Sequence, residues 1–161
     1  MGSPGAPLGP PFDIPDFTIS GVLQPYLGPT PKDGALMSPY ETTLVRIAQK
    51  LCGSDERKEI FRGLLSYRQQ LANIGFRIGF QWLSGSFMED IESLETRHPK
   101  DVDMVTFFHR PATATDDAAW QAFTLTNKSL LAWWEVKPVY KCDPYFVDLN
   151  TESSNVVNQA R

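Results

Sequence analysis

Three aspartates and one glycine-serine pair carry the chemistry this sequence could perform. Asp101 and Asp103 flank Val102 at the opening of the apolar run DVDMVTFF, Asp148 lies between Val147 and Leu149 in YFVDL, and Gly85-Ser86 follows the run FRIGFQWLS. Side chains two apart on a strand share a face, so Asp101 and Asp103 point the same way. Carboxylates that close repel one another unless a cation sits between them. Magnesium (Mg2+) is the natural cation, because it is hard, prefers oxygen and takes one or two carboxylates together with substrate phosphates. Asp148 on a neighbouring strand would complete a two-metal arrangement, which lowers the pKa of an attacking hydroxyl and stabilises a leaving pyrophosphate. Amid apolar neighbours its charge is costly unless paired or metal-bound. Gly85 lets backbone approach a phosphate, exposed N–H groups of the turn form an anion nest, and Ser86 adds a hydroxyl donor. The enzymatic reading stands on one condition: it fails if Asp148 faces away from Asp101 and Asp103 or lies more than about 10 Å from them, far beyond the reach of carboxylates that share metals.

Each piece alone has an ordinary explanation. Gly-Ser is a common turn, an Asp-x-Asp is usually a solvated strand end, and Asp148 could be a satisfied core acid. Their order, and the elements that must position them, make them a candidate site. Residues 1–37 form a Pro/Gly-rich N-terminal arm, expected to be extended and irregular, with Phe12, Ile14, Phe17, Ile19, Val22, Leu23 and Tyr26 placing its later part against the domain. Residues 38–150 form the domain proper, and 151–161 a polar C-terminal tail. Ser38, Pro39 and Glu41 make a capping-box pattern for a helix through Leu44, Ile47, Ala48 and Leu51, with Gly53 as its stop. Ser54 or Asp55 restarts a helix through Ile60, Leu64, Leu65 and Leu71, ending near Gly75, with Arg57, Lys58, Glu59 and Arg62 on its solvated face. Phe76, Ile78, Phe80 and Trp82 alternate with polar or small residues, the period of a buried strand, and Gly85-Ser86 ends it. A second strand runs through DVDMVTFF. A helix then runs from about Thr115 through Trp134 to a break at Pro138, and a last short strand, YFVDL, follows Pro144. The fold class expected is α+β, a mixed β-sheet with helices packed against it.

Bulk properties bound the partners. The chain has 161 residues, 42% hydrophobic and 21% charged, with a formal net charge of -4, which fits one soluble domain. That acidic balance argues against strong non-specific binding to nucleic acid, although a bound metal can reverse the sign locally. Cys52 and Cys142 form no CxxC pair, and two histidines make a zinc site implausible. The N-terminus has no signal-peptide pattern and no apolar run is long enough to span a bilayer, so a cytoplasmic protein is expected.

LSGSFMED, HPKDVDMVTFF and YFVDLN together resemble the Gly-Ser, Asp-x-Asp and Asp pattern of the polymerase-β-type nucleotidyltransferase superfamily. In size the chain is most similar to minimal nucleotidyltransferases, including those that act as antitoxins beside a HEPN-type partner. It also resembles a bacterial and phage family of nucleotidyltransferase-like proteins with a G-S-F turn, a P-x-D-[IV]-D strand and a Y-F-V-D-L strand, over about Phe76 to Leu149. The resemblance implies a nucleotidyltransferase-like mixed sheet, magnesium, and transfer of a nucleoside monophosphate from ATP or another nucleoside triphosphate to a protein or RNA hydroxyl, in a toxin–antitoxin or phage-defence setting. By position it implies that Gly85 and Ser86 bind the triphosphate, that Asp101 and Asp103 ligate both metals, and that Asp148 is the third acid. The segment after Gly85-Ser86, Phe87-Met88-Glu89-Asp90, is acidic, and Arg97, His98 and Lys100 are the nearby positive groups in sequence.

Two other readings compete. A catalytically inactive nucleotidyltransferase-like domain could serve as a binding or immunity protein, since fold does not fix function. A restriction-type nuclease needs an Asp followed by E-x-K on the next strand, and Glu135-Val136-Lys137 supplies E-x-K. It follows LLAWW at the end of an apparent helix, however, where positions i and i+2 do not share a face. Of Trp133 and Trp134, one is expected to pack inside, and His98 and His109 to lie at the surface.

Overall fold

The computed structural model describes residues 13–151, so residues 1–12 of the arm and all but the first residue of the expected tail lie outside the described residues. In chain order the elements are α1 (Leu44–Leu51), α2 (Asp55–Asn73), β1 (Gly79–Ser84), α3 (Ile91–Glu95), β2 (Val102–Phe108), α4 (Asp117–Thr126), α5 (Lys128–Leu131), α6 (Trp133–Tyr140) and β3 (Cys142–Asp148). The strands form one three-stranded sheet in the order β1-β2-β3. β1 runs antiparallel to β2, and β3 parallel to it, so the sheet is mixed and the domain is α+β.

α2 is the spine, and its sequence shows why. Ser54 caps it, its hydroxyl accepting from Arg57 N at 3.3 Å, and Asp55 and Glu56 in the first turn favour the positive end of the helix dipole. Ile60, Leu64, Tyr67 and Leu71 recur on one face and are all buried. They pack with Val136 of α6 and with Val102, Met104 and Cys142 from the inner face of the sheet. Tyr67 Oη donates to Leu130 O at 2.6 Å, which satisfies its hydroxyl inside the core. Gly63 is required on this face, because a Cβ there would overlap the carbonyl oxygen of Tyr140 where α6 ends against α2. Gly63→Ala is therefore expected to cost about 1–3 kcal/mol as an overpacking change and to lower the calorimetric unfolding midpoint by roughly 5 °C. An unchanged midpoint would mean the two helices can separate freely.

Several expected boundaries shift. α1 begins at Leu44, not at Pro39. Its cap is Thr43, whose hydroxyl accepts from Arg46 N at 3.3 Å, while Ser38 N donates to Pro25 O at 3.0 Å and keeps that stretch in the arm. The arm lies on the domain only in part: Ile14 and Phe17 pack against the core, Asp13 pairs with Arg46 at 3.3 Å and Lys50 with Asp16, whereas Ile19, Val22 and Tyr26, expected to face the domain, are exposed. The long helix expected from Thr115 is three short ones, and Pro138 sits inside α6 instead of ending it. Arg57 is buried, not solvated. β1 is an edge strand whose Phe80 and Trp82 are about half exposed, at 52% and 45%. Trp133 and Trp134 are both about half exposed, with neither packed inside. Among the described residues no helix is long and apolar enough to cross a membrane.

Candidate functional site

Strand register decides which acids meet. Across the sheet, Ser84 of β1 pairs with Asp103 of β2, and Asp103 with Asp143 of β3. Register partners point to the same face, so Ser84, Asp103 and Asp143 line up at one end of the sheet. Asp101, two residues before Asp103, shares that face. Phe80, Trp82 and Phe107 carry the face onward from the acid end. Phe80 stacks on Phe107 with centroids 4.6 Å apart, and Trp82 meets Phe107 edge-on at 4.5 Å.

Asp148 does not join this group, which corrects the expectation for it. It pairs with Phe108, five residues beyond Asp103 along β2, which at strand rise is about 16 Å away. Five is also an odd step, so Asp148 points to the helix-covered face. There it is a buried structural acid. Its Oδ2 accepts from Arg110 Nε at 2.6 Å, and its Oδ1 from Asn150 N at 2.9 Å. Arg110 also pairs with Asp117 at 2.8 Å and lies over the Trp120 ring. The condition set for Asp148 therefore fails; the acid that the register brings beside Asp103 is Asp143 instead.

The Gly85-Ser86 turn does arrive beside Asp103. Gly85 has φ 75°, in the left-handed region, and a Cβ on it would overlap Asp103 Oδ2. Glycine is therefore needed twice over, for the conformation and for the close approach. Ser86 opens a single 3-10 turn, Ser86–Met88, closed by Met88 N donating to Gly85 O at 2.9 Å. Arg57 holds the far side of this turn. Its Nη1 donates to Phe87 O at 2.7 Å, its Nη2 donates to Glu89 O, and it grips Glu92 with both Nε and Nη2 at 2.6 Å.

The electrostatics are set by one lysine. Lys137 Nζ lies 2.7 Å from Asp143 Oδ2 and 3.1 Å from Asp101 Oδ2. These contacts, led by the hydrogen bond to Asp143, hold its ammonium above the usual lysine range. The Asp103 carboxyl is pushed above its usual range, first by burial and then by the like charges of Asp101 and Asp143. Of the positive groups nearby in sequence, Arg97 pairs with Glu95 at 2.6 Å, His98, at the surface, faces Glu92 at 3.4 Å, and Lys100 is exposed. Glu135 is exposed on α6, so the E-x-K reaches the acid end through its lysine alone. Among the described residues no three His, Cys, Asp or Glu side chains are arranged to hold a metal ion by themselves. Magnesium does not require that, since it binds through one or two carboxylates plus substrate phosphates. The all-oxygen donor set of Asp101 and Asp103 fits such an ion, and the missing side chain of Gly85 is what makes room for the Asp103 carboxylate.

Asp143 was missed because Pro144 looks like a strand breaker, and Arg57 because charge on a helix usually means solvent. Alternation of Asp143 with Tyr145 and Val147 was the available signal for the first; nothing local marked the second.

The fold and its acid end define a small α+β domain with one mixed sheet and a carboxylate cluster at the glycine-serine turn. The chain belongs to a family of unknown function, DUF6932, whose profile matches residues 15–160. No curated protein and no solved structure matches it.

Proposed function

We propose that this domain is a magnesium-dependent nucleotidyltransferase, moving a nucleoside monophosphate from a nucleoside triphosphate to a hydroxyl of a protein or RNA. The observation that carries this reading is the register Ser84–Asp103–Asp143, which gathers three acids, counting Asp101, beside the Gly85 turn on one face. Asp101 and Asp103 would hold the ion, and the Gly85-Ser86 turn the triphosphate. Asp143 takes the place first given to Asp148. Magnesium, when bound, supplies charge neutralisation on the phosphates and the leaving pyrophosphate. The chain's part is positional. The turn orients the triphosphate, a cluster carboxylate accepts the proton of the acceptor hydroxyl, and the acceptor's hydroxyl oxygen bonds to the α-phosphorus as the bond to pyrophosphate breaks.

Lys137 favours a second reading, a binding protein with a closed site, because its ammonium already occupies the space between Asp101 and Asp143. Calorimetric titration separates the two. With Mn2+ and with magnesium-ATP, the wild type is expected to bind both, and Asp103→Asn neither. Binding absent from the wild type but gained in Lys137→Met would instead assign the closed site. Transfer of labelled nucleotide to an acceptor, lost in Asp103→Asn, would establish the enzyme.

A further inference from the structure

A long groove of about 1240 Å³ runs along the free edge of β1, between that strand, α2 and the extended stretch around Tyr40, and reaches Gly85. Two observations say what it holds. The first is the direction of the strand's main-chain groups. His109 N donates to Ile78 O at 3.0 Å, and Leu149 N to Phe108 O at 2.9 Å. Hydrogen bonding alternates along an antiparallel pair. Phe80, Trp82 and Ser84 therefore turn their N–H and C=O groups to β2, and Gly79, Gln81 and Leu83 turn theirs into the groove. No described residue bonds them there.

The second is Arg68. This α2 arginine is half-buried in the groove wall. It donates to Gln81 Oε1, whose amide in turn donates to Thr106 Oγ1 at 2.9 Å, and it has no ion-pair partner among the described residues. Guanidinium groups removed from water are ordinarily matched by an anion. The walls on either side of it, at Leu44, Ile47, Leu71 and Phe76, are apolar.

We propose that the groove receives an extended segment of a partner protein, added as a fourth strand on β1, with an aspartate or glutamate side chain seated on Arg68. An added strand uses the idle main-chain groups for affinity and alternate side chains for selectivity. A residue opposite Gln81 points to the same face as Gln81, where Arg68 lies. A residue two positions away shares that face and meets the apolar wall. The segment recognised thus carries an acidic residue with an apolar one two places from it. The groove borders the Gly85 turn, but this proposal does not depend on the nucleotidyl-transfer reading.

The test is a random heptapeptide display selection against the full chain, followed by binding of the recovered peptides measured by fluorescence anisotropy. The expected peptides share the acid and the apolar residue two positions apart. Arg68→Met and Arg68→Gln, each with a wild-type melting profile, weaken them at least tenfold, while Arg68→Lys retains most of the binding. Hydrogen exchange slows at Gly79, Gln81 and Leu83 when peptide is bound. Failure to recover any peptide, peptides without an acid, unchanged affinity in both neutral variants, or protection elsewhere would each overturn the proposal. So would tighter protection of the same three amides by decauridylate, which would give the groove to a phosphodiester chain.

Discussion

Arg57→Met is expected to lower the midpoint of thermal unfolding by about 10 °C. The guanidinium is buried and makes a two-pronged pair with Glu92, and it also satisfies the carbonyls of Phe87 and Glu89. Removing it leaves two carbonyl oxygens unsatisfied and the Glu92 carboxylate with only its longer contacts to Ser54 and His98 at 3.4 Å, a loss on the order of 3–5 kcal/mol. At this chain length each kcal/mol moves the midpoint by roughly 2–4 °C. The effect has a pH signature. Arg57, foremost through its hydrogen bonds, lowers the Glu92 carboxyl from 4.5 to about 2. A depressed carboxyl binds more protons unfolded than folded, so its contribution is complete above about pH 4.5 and is lost as pH falls towards 2. Calorimetry of the two proteins should show their midpoints converging across that window. A constant gap down to pH 2 would mean the pair contributes little and the carbonyl contacts carry the loss. Because Arg57 also anchors the turn after Gly85, the variant is expected to bind magnesium-ATP more weakly at temperatures where it remains folded.

Asp103→Asn and Asp148→Asn are expected to have opposite profiles. Asp103 is held above its usual range by burial and by Asp101 and Asp143. Folding therefore takes up a proton there at mildly acid pH, and the charged form disfavours the fold as pH rises past that range. Replacing it with asparagine relieves the repulsion, so the midpoint at pH 7 should rise. On the nucleotidyltransferase reading, in which Asp103 holds magnesium, transfer should fall about a thousandfold, because such a ligand contributes several kcal/mol to stabilising developing charge. Asp148→Asn breaks a buried pair with Arg110, leaving Asp117 as that arginine's remaining carboxylate. It should cost about 3 kcal/mol and leave Mn2+ affinity unchanged. Paired melts and Mn2+ titrations read both variants. Loss of Mn2+ binding in Asp148→Asn with an intact midpoint would reverse the assignment of the two acids.

The parts legible in the sequence were those governed by local rules. Ser54, with Ile60, Leu64 and Leu71 behind it, specifies α2 through a cap and a period, and both are present. Asp101 and Asp103 share a face because parity within one strand is a local property. Asp148 was misplaced because agreement between strands is not local: it depends on where β3 starts against β2. That start was read three residues late, at Tyr145 instead of Cys142, since Pro144 looks like a boundary. Lys141 O accepts from Val102 N, and Leu149 N donates to Phe108 O, so the odd-numbered residues of β3 bond to β2 and Pro144 turns its nitrogen to the open side. Proline is tolerated there, since no ladder bond is lost. Phe80 and Trp82 were taken as interior because alternation shows that a strand has two faces, not which of them is covered. Ser38-Pro39-x-Glu41 matches a helix start, but the arm claims Ser38 N first and the cap passes to Thr43.

The position of Pro144 bears on how copies of this chain behave at high concentration. A small sheet with two unguarded borders can recruit further copies at each, and repeated recruitment grows ribbons and aggregates. On the β3 border the proline ring removes a donor from the middle of the row, so docking from that side is interrupted. Only the β1 border keeps a full row of donors, and a ribbon cannot propagate from one side alone.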